Sequence, residues 1–257
     1  MEGVLTMNDT HEFRNFLRSD LIKYLQDIDT DQSKNIPEPP LQKNSPLNSK
    51  TIDLIQPQMF TCGQMDMLSV LRNRKTRRVF SDEKLSFEEL SYLLWSVQGV
   101  KKIVKNGYAT LRTVPSAGAR HPFETYIAVF NVEALTEGVY RYLPLEHKLV
   151  FISTVENLKE KIADSCFDQA HASQGAVTFI WTAIPYRSEW RYGNASYKLI
   201  ALDAGHICEN LYLAAESINA GTCAIAAYDQ EKLDEIIGVD GKEEFTVYLA
   251  PIGKIAN

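Results

Sequence analysis

The chain has 257 residues, 45% of them hydrophobic and 23% charged, a globular composition with enough apolar surface to build a core. Lys+Arg 27 against Asp+Glu 33 gives a net charge of −6, a field that repels polyanions and argues against sequence-independent nucleic-acid binding. No apolar run is long enough to span a bilayer, no export signal is visible, and the four cysteines form neither a Cys-x-x-Cys pair nor a disulfide framework, so the expectation is a cytoplasmic protein with reduced thiols.

Asp9 and Glu12 stand at capping-box spacing ahead of the apolar stripe Phe13, Leu17, Leu21 and Tyr24, which predicts an amphipathic helix over about residues 10–28. A polar stretch with Pro37, Pro39, Pro40 and Pro46 follows and reads as an extended arm, so residues 1–58 form an N-terminal helix and arm and residues 59–257 the compact domain. Ser86 with Glu89 repeats the capping spacing before the stripe Leu90, Leu93, Leu94 and Val97. "TYIAVFNV" and "VTFIWTAI" read as strands, and "GVYRYL" and "KLVFI" as a hairpin around "PLEH". "ASYKLIALDAGHICENLYLAAESINAG" is apolar on nearly all sides and predicts a helix that is fully buried or shared with a second subunit, ending at Gly221, with His206 as a core imidazole. The strand "TCAIAAY", the helix "QEKLDEIIG" and the strand "EEFTVYLAPIG" close the chain, and the lack of a βαβ rhythm argues an α+β layer structure.

Residues 72–78, "RNRKTRR", place five basic side chains in an acidic chain. In an extended segment Arg74, Thr76 and Arg78 share one face and Lys75 and Arg77 the other. Two guanidinium forks and a hydroxyl on one face suit a phosphate, the alternative being a solvated basic patch. The glycines never fall as Gly-x-Gly, there is no P-loop and no Gly-x-Ser-x-Gly elbow, and the five histidines show no metal-ligand spacing, so no metal site is expected. Phosphate-binding chemistry without a declared side-chain nucleophile points to an organic cofactor as the reactive group.

"RKTRRVF" resembles the opening motif of the nitroreductase-like flavoproteins, and "TVPSAGARHPFETYIAV" their second motif. "PSAGARHPFE", "EGVYRY", "YKLIALDAGHICENLYLAAESINAG" and "APIG" resemble the SagB-type dehydrogenase subgroup. The resemblance covers roughly residues 34–257. It implies a nitroreductase-like fold, a central mixed and mainly antiparallel sheet flanked by helices, in an intertwined homodimer with FMN at the subunit interface. It assigns Arg74 and Thr76, with Lys75 less securely placed, to the FMN phosphate and Arg78 to the N1/O2 edge of the flavin. Pro115, Ser116, Ala117 and Ala119 would contribute from the partner subunit, with Ala119 where many relatives have Asn, and Ile225, Ala226 and Ala227 would lie near flavin N5 and O4.

The subgroup's azoline oxidases are associated with a Lys-Tyr pair, and this chain has Arg191-Tyr192 in that place, the two expected catalytic residues. A guanidinium stays protonated, so Arg191 is not the base that removes a proton; without the resemblance the pair reads as loop before a helix. His121, beside the second motif, is a candidate for substrate contact. The resemblance implies an FMN-dependent oxidoreductase with hydride transfer through flavin N5, in the form of azoline-to-azole dehydrogenation in a modified peptide. Alternatives are an NAD(P)H-dependent nitro or quinone reductase and, from another class, a non-catalytic scaffold partner in a peptide-modifying complex.

Overall fold

The computed structural model describes residues 14–19, 23 and 29–256, so the helix expected over residues 10–28 falls largely outside the described residues. In chain order the elements are β1 (Thr51–Asp53), α1 (Met67–Asn73), α2 (Phe87–Gln98), a hairpin of β2 (Val100–Val104) and β3 (Ala109–Arg112), then β4 (Phe123–Val129), β5 (Gly138–Leu143) and β6 (Lys148–Ser153). They continue as α3 (Leu158–Ser165), β7 (Val177–Ala183), α4 (Tyr186–Tyr192), α5 (Ser196–Ser217), β8 (Ala220–Thr222), α6 (Gln230–Ile237) and β9 (Phe245–Lys254).

Seven strands form one sheet in the order β1-β6-β5-β4-β7-β9-β8, with antiparallel ladders throughout. Among the described residues parallel pairing enters only as isolated bridges, Thr76 to Thr222 and Leu85 to Val132. This is the expected α+β arrangement. The central strands β4 and β7 are buried on both faces. Their period-2 alternation sends Phe123, Ile127, Val129, Phe179 and Trp181 into a core with α2 and α5, and Tyr126, Ala128 and Ile180 into a second core with α3 and α6.

The capping box at α2 forms as expected: Glu89 N–H donates to Ser86 Oγ (3.1 Å) and Ser86 N–H to Glu89 Oε2 (3.0 Å). The end of α5 differs from expectation. The helix stops at Ser217, Asn219 takes the left-handed turn (φ 54°), and Gly221 lies inside β8. A Cβ at Gly221 would come within 2.8 Å of the Arg77 side chain, so close packing rather than a helix stop accounts for that glycine.

The extended arm is tied into the core. Arg112, buried, donates to Leu41 O (2.8 Å) and Arg141 to Asn44 O (2.8 Å). Lys43 N–H donates to the buried Glu124 (2.8 Å), which also accepts from Arg187, and the Lys43 ammonium pairs with Glu244. The arm therefore supplies partners to charges that burial would otherwise leave unsatisfied, and Thr51–Asp53 at its end forms the outermost strand of the sheet.

Candidate active site

The basic segment begins as helix. Asn73 closes α1 and Arg74 is its C-cap, so the extended reading holds only from there onward. Beyond the cap the chain pairs with β8: Thr76 bridges Thr222, and Arg77 N–H donates to Thr222 O (2.9 Å). Alternation then sorts the side chains. Arg77 turns inward and makes a two-pronged ion pair with Glu216. Arg74 lies over the Tyr212 ring at 5.4 Å, and the hydroxyls of Thr76 and Tyr212 meet at 3.3 Å. Among the described residues no carboxylate lies within ion-pair distance of Arg74, Lys75 or Arg78, although Lys75 and Arg78 are exposed and Arg74 half-buried.

Tyr212 also accepts the N–H of Ala224 (2.9 Å), which fixes the segment leading into Ile225–Ala227. Ile225 is buried and exchanges two backbone hydrogen bonds with Leu249 (2.8 and 3.2 Å), while Ala226 and Ala227 are exposed. Among the described residues the N–H groups of Ala226 and Ala227 have no hydrogen-bond partner, and Ala227 O accepts from Gln169 Nε2 (3.0 Å). Arg78 lies beside Cys223 and His171. Burial pushes the Cys223 thiol up, with the Arg78 cation pulling the other way, and burial and Arg78 together push His171 down. Thr76, Arg74 and Ile225–Ala227 thus gather around Tyr212 and β8.

The second motif forms a tight turn. Gly118, Ala119 and His121 have φ of 59°, 54° and 47°, and Arg120 folds back to donate from Nε to Gly118 O (3.2 Å). Ser116 Oγ–H donates to Asp203 Oδ2 (2.6 Å), and Ala117 N–H to Asp203 Oδ1 (3.3 Å). Arg191 and Tyr192 pack on the same turn: a Cβ on Gly118 would lie 2.4 Å from the Tyr192 hydroxyl and 3.0 Å from Arg191 Nε. Both residues sit in the last turn of α4, where regular helix replaces the loop that the residues alone suggested. Tyr108 completes the cluster. Its hydroxyl accepts from Gln32 (2.7 Å) and Arg191 (3.4 Å), and the Arg120 guanidinium lies 4.5 Å over its ring.

Both histidines depart from the roles expected of them. His121 is buried, its Nε2 meets Thr110 O at 3.1 Å, and burial with the cations Arg112, Arg120 and Arg187 pushes its pKa down to about 2, so it is a neutral structural imidazole. His206 has a side chain 49% exposed, so it is not a core residue; α5 leaves Tyr197, Ala201, Leu202, Gly205 and His206 on an open face.

The expected site residues therefore fall into two groups, both mounted on α5. Asp203 holds the Ser116 turn and Tyr212 holds the basic segment. Nine residues separate them, which on an α-helix is about 13 Å of rise and about half a turn, so the two groups lie on opposite sides of the helix. Asp203, Tyr212, Tyr108 and Arg120 were not among the expected site residues. An acidic residue on the helix face that also carries Ile200, Ala204 and Ile207 is the signal that would have singled out Asp203.

The chain is 29% identical over 202 residues to the nitroreductase-like protein MJ1384 of Methanocaldococcus jannaschii, covering 79% of this chain and 98% of that one. It is 29% identical over 167 residues to the trifolitoxin-processing protein TfxB of Rhizobium leguminosarum bv. trifolii, covering 61% of this chain and 44% of TfxB, so it spans less than half of that relative. Among solved structures, a chain of the Escherichia coli microcin synthetase McbBCD complex with truncated pro-MccB17 bound has the same fold, with a TM-score of 0.60, 17% identity and 100% of both chains covered. The nitroreductase family itself matches residues 71–254, and this chain belongs to that family of oxidoreductases.

Proposed function

We propose that the chain is an FMN-dependent oxidoreductase, active as a homodimer, that dehydrogenates an azoline ring in a modified peptide to the azole. The observation that carries this reading is the set Arg74, Lys75 and Arg78, cations beside the Thr76 hydroxyl with no carboxylate near them among the described residues, while Arg77 in the same run has its own acid, Glu216. Such a donor set fits a phosphate monoester. The N–H groups of Ala226 and Ala227 beside it, without a partner among the described residues, fit the polar edge of a flavin ring. The placement of the two groups on opposite sides of α5 supports a dimer, because a second copy must bring its Ser116 turn to this copy's basic segment. The open face of α5, with Tyr197 47% and Leu202 51% exposed, supplies apolar surface for that contact. The peptide substrate is suggested by TfxB, a processing protein, and by the microcin synthetase complex with its bound pro-peptide.

When bound, FMN supplies the two-electron redox chemistry. Arg74, Thr76 and Lys75 would hold its phosphate, Arg78 would place a fixed cation at the pyrimidine edge, and Ala226 and Ala227 would donate backbone hydrogen bonds. The turn at Pro115, Ser116, Ala117 and Ala119 would close over the ring and exclude water. Aromatising an azoline also releases a proton from the ring carbon, and Arg191 cannot take it. The Tyr192 hydroxyl would relay that proton, passing its own hydrogen on to solvent as it accepts this one, with Arg191 as its neighbouring charge.

Absorbance near 450 nm in the purified protein tests for flavin (about the usual flavin band), and turnover of an azoline peptide tests the reaction. A second reading, an NAD(P)H-dependent reductase, is favoured by Arg191 in place of a basic lysine. Anaerobic bleaching of the flavin band by NAD(P)H, without azoline turnover, would establish it instead.

A further inference from the structure

The Ser116 turn is built from backbone that ordinary residues avoid. Three of the four residues from Gly118 to His121 have left-handed φ, and two of these, Ala119 and His121, carry side chains. Each such non-glycine residue costs about 1 kcal/mol, so the turn persists only where its surroundings hold it. Arg120 ties it to Tyr108 O (2.8 Å) and His121 ties it to Thr110 O (3.1 Å). The remaining hold is Asp203. This carboxylate is 3% exposed, and both of its oxygens are used on the turn, one on the Ser116 hydroxyl and one on the Ala117 N–H. The other group facing it is His206, whose Nδ1 lies 3.8 Å away and whose side chain is half exposed. Burial pushes the Asp203 carboxyl up, while its two donors and His206 act in the opposite sense.

The Ser116 hydroxyl is committed on both sides. Its hydrogen goes to Asp203 (2.6 Å), and its oxygen accepts the N–H of His121 (2.9 Å). A hydroxyl in that position has no hydrogen left to offer a ligand. We infer that Asp203 and Ser116 act as one positioning unit: they set the shape of the Ser116–His121 turn and do not touch the cofactor, whose contact is left to the backbone and small side chains of Ala117, Gly118 and Ala119. This rests on the FMN reading above, and it narrows the contribution that the family resemblance gives to Pro115, Ser116, Ala117 and Ala119.

The test is a double-mutant cycle on FMN affinity, with the full-length wild type, Asp203→Asn, Ser116→Ala and the double variant titrated with FMN by flavin fluorescence. Asn keeps the shape but offers an N–H where Ala117 also donates. Each single substitution is expected to raise the FMN dissociation constant roughly tenfold, and the double variant roughly tenfold as well, because both remove the same hold. Additive effects, near a hundredfold in the double variant, would show that Ser116 contacts FMN directly and would overturn the inference. Unchanged affinities with a lowered melting temperature would overturn it too, as a purely structural role. A wild-type chain that binds no FMN overturns the functional reading itself; a wild type that binds FMN as tightly as all three variants overturns this inference alone.

Discussion

Arg77 and Glu216 form a two-pronged ion pair at the end of α5, with side chains 13% and 5% exposed. The pair separates one arginine of the basic run from its neighbours. Arg77 anchors the segment to the helix, and among the described residues Arg74, Lys75 and Arg78 are left without an acid. Of the five cations in the run, Arg77 is thus structural and Arg74, Lys75 and Arg78 are suited to a ligand.

Substituting within this run should separate stability from binding. Arg77→Ala strands a buried carboxylate and should cost about 3 kcal/mol in urea unfolding. Arg74→Ala should leave stability within about 0.5 kcal/mol and weaken FMN binding roughly ten- to a hundredfold, since it removes a charge-assisted fork. Equal stability losses in the two variants would show that both arginines are structural.

Gly118→Ala should disturb the Arg191–Tyr192 pair. The new methyl would stand 2.4 Å from the Tyr192 hydroxyl, at a φ of 59°. The tyrosine has to move, and displacements on the order of 1 Å can lower turnover about a hundredfold. The expected outcome is a fall in kcat larger than any fall in FMN affinity, with the melting temperature within a few degrees of wild type (roughly 1 kcal/mol).

Stability should fall as the pH is lowered below about 6.5. His121 stays neutral in the folded protein down to about 2, and burial also pushes His147 below its ordinary value. The unfolded chain binds a proton at His121 from about pH 6.5 downward and the folded chain does not, so stability rises with pH across that window by up to about 1.4 kcal/mol per pH unit, and His147 contributes in the same direction. His121→Gln should flatten the slope of unfolding free energy against pH between about 4 and 6. An unchanged slope would mean that His121 is protonated in the folded state.

Removing the first 50 residues should abolish folding, whereas removing the first 28 should not. The longer truncation takes away Leu41 O from Arg112, Asn44 O from Arg141 and Lys43 from both Glu124 and Glu244. Each stranded buried group costs about 1–3 kcal/mol, and together they rival the whole stability of a domain. Circular dichroism of the two truncated chains checks this. A folded chain lacking residues 1–50 would favour the arm as a detachable docking element.

The elements that local chemistry specifies were legible in the sequence: the capped helix α2, the hairpin of β5 and β6 around Pro144–His147, and the alternating central strands. Gly221 was misread because a glycine after a helix serves equally as a stop or as a close-packing position, and the Arg77 side chain that decides between them lies 144 residues earlier (221 − 77). Arg74, Thr76 and Arg78 were legible as one face because alternation is local. Asp203 and Tyr212 were not, since periodicity reports burial but not which distant side chain a buried group will meet. Their partners, Ser116 and Thr76, are 87 and 136 residues away.

That both halves of the site are fastened to one continuous helix limits how the gene can vary. One residue inserted between Asp203 and Tyr212 would swing either anchor about 100° around the axis and shift it about 1.5 Å along it, and no side-chain change nearby could undo the rotation. Point changes on the open face of that span can accumulate, but gains or losses of single codons within it cannot.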